Sequence, residues 1–319
     1  MAKYLDFLRD NSLKKVMKIS ESHSFEETAS FRDLVHHFHQ TQDQCLAVLD
    51  GKKLSGVFSR NDLVYQFTNF FITEDGGEAK KLMISNPMAL NESDSILNAL
   101  NIMARLEISS IPVNNESGEF LNVIDCDQFF DWLIEERDIS FYQGDDLLQW
   151  THFDEHIMEI DFNELVFGQL DFEVFKTQCN GLIRTDAFAV DESLSLKDLI
   201  KKCKKNRQPQ CVITKNETMV QGVFSARELI NYLIQTDFKP DPRIPVKEIM
   251  NLDFIAVMYK HTLAHAIGLI KKTRNERVLI MDEDDFPMAI VRVFDVLKYL
   301  TDRLLDERRL KQQIKRDAA

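Results

Sequence analysis

The sequence predicts an α/β (α+β) protein built of four units, each with the element order β-α-β-β-α. The prediction rests on internal repeats, which indicate an architecture of packed, similar units. The segment 56–63 (GVFSRNDL) recurs at 222–229 (GVFSAREL), an offset of 166 residues. Two further repeats keep nearly this spacing: Leu5–Phe7 with Leu170–Phe172 at 165, and Met83 with Met250 at 167. We therefore interpret the chain as a tandem duplication.

The first half divides again into two predicted units. A short strand over 24–25 precedes a helix over 30–40, whose apolar residues recur at i, i+3, i+4 and i+7. Strands over 45–49 and 56–58 flank a turn-forming Asp-Gly-Lys-Lys segment, and a second helix closes the unit. The second unit repeats this order, with strands over 88–90, 110–113 and 121–124 and a helix over 95–106.

The second half repeats the same order twice. The third unit has a helix over 195–204, strands over 211–214 and 220–224, and a helix from 226; the fourth has a helix over 263–271, strands over 278–281 and 288–291, and a helix from 293. One unit of this size cannot bury its apolar faces alone, so we expect the units to pair.

The predicted domain boundaries follow from these repeats. A first pair covers 1–135 (about 1–73 and 74–135), and a connector covers 136–165. A second pair covers 166–319 (about 166–238 and 239–300), and it includes a C-terminal helix over 301–319.

Composition excludes several classes of protein. The 319 residues carry a net charge of −13, which disfavours a nucleic-acid binder. The first residues include an acid and no apolar run, so no secretory signal is expected, and no apolar stretch is long enough to predict a membrane span. Five cysteines without a Cys-x-x-Cys pair predict neither a disulfide framework nor a zinc site, so a cytoplasmic location is expected.

The ends of two strands carry a resemblance to a known family. Gly56-Val57-Phe58-Ser59 leads to Asp62, and Gly222-Val223-Phe224-Ser225 leads to Glu228. Four units with this strand end resemble cystathionine-β-synthase (CBS) domains, and two adjacent units resemble a Bateman module. The chain thus resembles two tandem modules with no catalytic domain left over. The resemblance implies clefts for adenosine ligands such as AMP, ADP or ATP, and implies neither enzymatic activity nor a required cofactor.

The resemblance also implies individual ligand residues. In the first unit Ser59 would contact phosphate, Asp62 the ribose hydroxyls, and Phe25 and Val57 the base. A carboxylate accepts strong hydrogen bonds from a diol, and a helix N-terminus favours an anion. The third unit keeps Val223 and Ser225 and has Glu228 as the acid; the fourth keeps Asp295 but has Arg292 in place of the hydroxyl. Four arginines are further candidates for phosphate contact: Arg60, Arg227, Arg274 and Arg277.

The second unit departs most from the pattern. It has Asp125 at the hydroxyl position and Gln128 at the acid position, so we expect its site to be empty. The Ser-x-x-acid segments also fit a second interpretation, a capping box that satisfies helix N–H groups and binds nothing.

Two histidine patterns are weaker candidates. His152, Glu155 and His156 match the spacing of an inverted zinc-peptidase motif, within the connector. His261 and His265 share helical spacing, which is more typical of ordinary helix residues.

The resemblance therefore implies a regulatory protein that binds an adenine nucleotide and signals its occupancy to a partner. The alternative is a scaffold protein with degenerate clefts, whose function is protein contact. A protein partner and a homodimer are both left open, and neither nucleic acid nor a membrane is expected as a partner.

Overall fold

The structure is a computed structural model that describes residues 2–17, 24–41, 43–70, 77–136, 177–183, 187–216, 218–273 and 277–303. It contains four small mixed sheets, one for each predicted unit. The predicted fold class is therefore confirmed. Residues 137–165 of the predicted connector and residues 304–319 of the predicted C-terminal helix lie outside the described residues, as do the connector histidines and the candidate Arg274.

The first two units follow the predicted element order. Unit 1 contains β1 (Ser24–Glu26), α2 (Phe31–Gln40), β2 (Cys45–Asp50), β3 (Lys53–Ser59) and α3 (Arg60–Phe70), after an N-terminal helix α1 (Ala2–Asp10). A short helix α4 (Ala79–Leu82) and strand β4 (Ile84–Ser85) come next. Unit 2 contains β5 (Leu90–Asn91), α5 (Ile96–Leu106), β6 (Ser110–Asn114), β7 (Phe120–Asp125) and α6 (Cys126–Glu136).

The last two units have the same plan. Unit 3 contains β8 (Ala189–Asp191), α7 (Leu196–Asn206), β9 (Cys211–Lys215), β10 (Met219–Phe224) and α8 (Ala226–Gln235). Unit 4 contains β11 (Ala256–Met258), α9 (Leu263–Thr273), β12 (Arg277–Met281), β13 (Pro287–Arg292) and a helix α10 over 293–303. Short 3₁₀ turns precede units 3 and 4, at Cys179–Leu182 and Val246–Glu248.

Local sequence explains where the first helix of each of three units begins. Ser30, Ser95 and Ser195 each occupy the N-cap and accept a hydrogen bond from the backbone N–H three residues later. In every unit the middle strand pairs parallel with the first strand, which precedes the helix, and antiparallel with the third strand. The parallel pair requires the helix as its crossover connection.

Each unit is completed by a segment from elsewhere in its module. The Ile96 N–H of unit 2 donates to the Asn11 carbonyl, 2.9 Å away, and the Phe31 N–H of unit 1 donates to the Gly77 carbonyl, also at 2.9 Å. The second module repeats the exchange, since Leu263 N–H donates to Thr177 and Leu196 N–H donates to Ile244. The predicted sequence blocks therefore do not map one to one onto packed units.

Two apolar cores join the modules across the molecule. One core combines the helices of units 1 and 3 and includes the fully buried Phe31, Phe67 and Phe224. The other combines the helices of units 2 and 4 with the N-terminal residues Leu8 and Leu13. Because each core takes side chains from both modules, the two modules form one body within a single chain.

The sheets pack within each module. In the second module Val212 of unit 3 forms a buried cluster with Leu279 and Met281 of unit 4. This packing brings the end of β10 close to the first residues of β12. Among the described residues, no helix is long and apolar enough to cross a membrane.

Candidate functional site

The junction of β10 and α8 presents the acid and the hydroxyl that the sequence predicts. Ser225 is the N-cap of α8, and its Oγ accepts a hydrogen bond from the Arg227 N–H at 3.2 Å. The same hydroxyl donates to Glu228 Oε2 at 2.6 Å. Glu228 is 7% exposed, so this hydroxyl helps to hold a largely buried carboxylate in place.

A narrow cleft opens beside this junction, between units 3 and 4. Arg227 and Glu228 form one side, and Arg277, the first residue of β12, forms another. The remaining wall is mostly apolar: Val223, Asn251, Phe254, Ile255, Leu279 and Ile290. Four residues that the sequence singled out, from two different units, therefore converge on one cleft.

The composition of this cleft suits an amphipathic anion. Two arginines provide fixed positive charge with a fork of donors that matches phosphate oxygens. The single carboxylate can accept hydrogen bonds from neighbouring hydroxyls, and the apolar wall can cover a flat ring. Ser225 is absent from the lining because its hydroxyl is turned to the helix and to Glu228.

A close backbone approach shapes the floor of the cleft. Gly222 lies on β10, and a Cβ at this position would be 2.6 Å from the Asn251 carbonyl oxygen. Val223 and Asn251 exchange two backbone hydrogen bonds, of 3.0 and 2.8 Å. The glycine thus allows the segment before unit 4 to lie against β10, the strand that leads to Glu228.

The corresponding junction in unit 1 is satisfied internally. Asp62 Oδ2 accepts hydrogen bonds from the Ser59 N–H at 2.8 Å and the Ser59 Oγ at 2.7 Å. The Asp62 N–H donates back to Ser59 Oγ at 3.3 Å, which completes a capping box. Burial raises the pKa of Asp62, and the two bonds from Ser59 act against that shift.

The other candidates of unit 1 also serve the fold. Arg60 is 4% exposed and donates through Nη2 to the Thr41 carbonyl at 2.7 Å, so its guanidinium packs inside its own unit. Phe25 lies edge-on to His37, with 5.3 Å between ring centroids. Val57 pairs with Ala47 and Ile84 in the sheet. None of these three residues lines the cleft of the second module.

Units 2 and 4 also satisfy their junction residues. In unit 2 the Asp125 N–H donates to Gln128 Oε1 at 3.1 Å, and the Gln128 N–H donates to Asp125 Oδ1 at 2.9 Å. Burial raises the pKa of Asp125 to about 6, and the nearby Asp43 and Asp131 add to the shift. In unit 4 Asp295 is held by Arg292 in a bidentate pair of 3.0 and 3.1 Å, so its carboxylate is not directed at a sugar.

A second cavity lies where the four units meet. Asn61 comes from unit 1, Cys126 from unit 2 and Gln210 from unit 3, while Arg277 and Arg292 come from unit 4. Arg277 therefore borders both cavities.

The histidines form no metal site among the described residues, where no group of three metal-ligating side chains occurs. His261 and His265 have ring centroids 4.9 Å apart. Burial lowers the pKa of His265 to about 4, and the neighbouring His261 lowers it further. His265 lies in the first turn of α9, whereas His261 precedes the helix and its Nδ1 accepts a hydrogen bond from the Met258 N–H at 3.2 Å, so the predicted helical pairing is wrong for His261.

Five lining residues of the cleft were not predicted as ligand contacts: Asn251, Phe254, Ile255, Leu279 and Ile290. The repeat that relates Met83 to Met250 could have identified Asn251, which follows Met250 directly. The apolar residues carry no distinctive signal, because their composition is the same as that of any buried strand.

The fold and the cleft define a tandem-repeat α/β protein with a polar and apolar crevice between two of its units. The CBS-domain family model matches residues 79–135 and 246–302, which include most of units 2 and 4. The chain thus contains two matches to the CBS domain, as its sequence pattern predicted, and two further units of similar fold. No curated protein matches the sequence.

Two solved structures have the fold of almost the whole chain. One is a Methanocaldococcus jannaschii protein described as a proposed archaeal homologue of g-AMPK, with a TM-score of 0.70 and 15% identity, covering 91% of this chain and 99% of that chain. The other is an uncharacterized conserved protein from Pyrococcus horikoshii, with a TM-score of 0.53 and 14% identity, covering 91% of this chain and 100% of that chain. At these identities the similarity shows the fold alone.

Proposed function

We propose that this chain is a regulatory protein that binds an adenine nucleotide between units 3 and 4 and signals its occupancy to a partner protein. The proposal rests on the convergence of Val223, Arg227, Glu228 and Arg277 on one cleft. The similarity in fold to a proposed archaeal homologue of g-AMPK is consistent with it.

Each part of a nucleotide has a matching group in this cleft. Glu228 is placed to accept hydrogen bonds from the ribose hydroxyls, while Arg227 and Arg277 contact the phosphates. The apolar wall around Phe254 and Leu279 covers the purine. Binding would fix units 3 and 4 relative to each other, and the shared cores would carry that change to the first module.

The proposal includes no catalytic step and no required cofactor. Burial raises the pKa of all five cysteine thiols, so they remain protonated and are poor nucleophiles at neutral pH. All five are free thiols, which supports the proposed location in the reducing cytoplasm.

Calorimetric titration and thermal unfolding with AMP, ADP and ATP test the proposal. We expect at least one nucleotide to raise the melting temperature, since a ligand at 100 times its Kd stabilises by about 2.7 kcal/mol. Glu228→Gln keeps the volume and the bond to Ser225 but removes the charge, and it should weaken binding by about tenfold or more. Asp62→Asn is the matched control in unit 1 and should leave this affinity unchanged.

Two results would reject nucleotide binding at this site. One is the absence of any shift with all three nucleotides. The other is a Glu228→Gln variant that binds as tightly as the parent while Asp62→Asn binds weakly.

A scaffold function is the second candidate, and the unit 1 and unit 2 junctions favour it. Ser59 with Asp62, and Asp125 with Gln128, satisfy each other without a ligand. A chain that ignores all adenosine ligands and purifies in a stable stoichiometric complex would support this function instead.

A further inference from the structure

Helix α7 of unit 3 carries a basic surface that the nucleotide proposal does not use. Residues 187–251 hold eleven Lys and Arg against eight Asp and Glu, a net charge of +3 in a chain whose total is −13. Most of this excess lies on α7 and its C-cap. Five exposed residues contribute to it: Lys197, Lys201, Lys202, Lys205 and Arg207.

The lysines are arranged in a regular row. Lys197, Lys201 and Lys205 are spaced at i, i+4 and i+8, so they lie on one side of the helix with a repeat of about 6 Å. Asp198 is the single acid on α7, and it pairs with Lys201 at 2.8 Å. We call Lys197, Lys201 and Lys205 the lysine row.

The opposite side of α7 is already occupied. Leu196, Leu199, Ile200 and Cys203 are fully buried in the core that joins units 1 and 3. The helix therefore cannot turn an apolar face outward to insert into a lipid surface, and the lysine row is what it presents to solvent.

The corresponding helices of the other units lack this row. Helix α2 has Arg32 and three histidines, and α5 has Arg105 alone. The row is thus particular to unit 3 and does not follow from the repeat fold, which needs only the buried side of the helix.

We propose that the lysine row is the docking surface for an acidic segment of a partner protein, with carboxylates repeated about every 6 Å. Such a repeat occurs in a helix with Glu or Asp at i, i+4 and i+8. The charge of the chain favours a short segment over a longer polyanion. A duplex or an anionic membrane would extend past the row to the acidic remainder of the chain, where repulsion acts.

The full-length chain and a labelled alanine-rich helical peptide with three glutamates at i, i+4 and i+8 test this proposal. Fluorescence anisotropy at about 0.15 M salt gives the affinity under physiological screening. A second peptide of identical composition, with the three glutamates adjacent, controls for charge alone. We expect the spaced peptide to bind at least fivefold more tightly than the adjacent one.

Charge reversal locates the surface. Lys197→Glu, Lys201→Glu and Lys205→Glu together should weaken binding of the spaced peptide by tenfold or more. Reversal of Lys52, Lys53 and Lys81 changes the net charge equally, at exposed positions of the first module, and should have less than a twofold effect. A triple Gln variant of the lysine row, with its melting temperature checked, covers the case in which the reversal impairs folding.

Several outcomes would overturn the proposal. Equal loss in the two charge-reversal variants would show attraction by net charge alone, and equal affinity for the two peptides would remove the spacing argument. Tighter, row-dependent binding of duplex DNA or of phosphatidylserine vesicles would identify another class of partner. If sedimentation shows dimers that form only when the lysine row is intact, the partner is a second copy of the chain. Because no nucleotide is present in these measurements, their failure leaves the proposed nucleotide cleft untouched.

Discussion

In the second module, the first residue of β12 and the last residue of β13 are Arg277 and Arg292, which are paired across the sheet. The first module has Ser110 and Asp125 at the same paired positions of β6 and β7. The third arginine, Arg227, corresponds to Asn61 through the offset of 166. At three corresponding backbone positions, the second module therefore has arginine and the first module has a different residue.

The features shared by the modules are those that the fold requires. Gly56 and Gly222 both allow a following segment to lie directly on the hairpin strand, since a Cβ on either would come within 3 Å of a backbone carbonyl. The acids Asp62 and Glu228 both begin a closing helix beside a serine. Shared geometry alone thus does not distinguish a ligand cleft from a helix cap, and the proposed ligand cleft depends on the arginines that only the second module carries.

The largest expected effect comes from replacing Arg277 of the second module with serine, the residue that the first module has at the corresponding position, Ser110. Arg277→Ser should weaken nucleotide binding by about 10–150-fold, since hydrogen bonds to charged groups contribute about 1.5–3 kcal/mol. Calorimetric titration with the best of the three nucleotides measures the change. The reciprocal Ser110→Arg is the control and should leave this affinity within twofold. If Arg277→Ser binds normally, the charge difference between the modules has no bearing on ligand binding.

The shared glycines provide the second prediction, in which the modules should behave alike. Gly56→Ala and Gly222→Ala should each destabilise the fold by about 2 kcal/mol, because the new methyl group meets a backbone oxygen at 2.9 and 2.6 Å respectively. Urea unfolding of both variants measures the loss. A normal midpoint for either one would mean that its module tolerates a wider separation.

Sequence reasoning predicted the fold more completely than the site. The three repeats sufficed for the unit order, because hairpins and amphipathic helices are local features with clear periodicity. The junction acids were ambiguous, since Ser59 with Asp62 matches both a ligand motif and a capping box. Local hydrogen bonds show that Asp62 is held by its own serine, and only the packing of unit 4 on unit 3 shows that Glu228 shares a cleft with two arginines. That information is long-range, and no local pattern contains it.

The buried acid of the first module gives a third, pH-dependent prediction. Burial raises the pKa of Asp125 to about 6, above its usual value in an unfolded chain, so the folded state holds its proton more tightly. The protonated carboxyl therefore contributes its full stabilisation of the fold below about pH 4, and this contribution is lost as the pH rises through about 6. At pH 7.5 the Asp125 side chain is a buried negative charge. Asp125→Asn keeps an acceptor for Gln128 and should stabilise the fold by about 1–2 kcal/mol at pH 7.5.

Thermal unfolding of Asp125→Asn at pH 4.5 and 7.5 measures this effect, which should be largely absent at the lower pH. Asp33→Asn is a control of opposite sign, since hydrogen bonds from Ser30 lower the pKa of Asp33. Removing the Asp33 charge should destabilise the fold at pH 7.5 and have a smaller effect on stability at acid pH. An Asp125→Asn variant that is less stable than the parent at pH 7.5 would show that the charged carboxylate is needed in the first module.

The smallest expected effect separates capping from binding at Ser59. If the hydroxyl serves the capping box alone, Ser59→Ala should cost about 1 kcal/mol of stability and change nucleotide affinity by less than twofold. Urea unfolding and titration of the same preparation give both numbers. Ser225→Ala is the counterpart: it should cost a similar stability but also weaken binding a few-fold, because Glu228 loses the donor that holds it at the cleft. Equal behaviour of the two variants in the binding assay would mean that the serines, unlike the arginines, do not distinguish the modules.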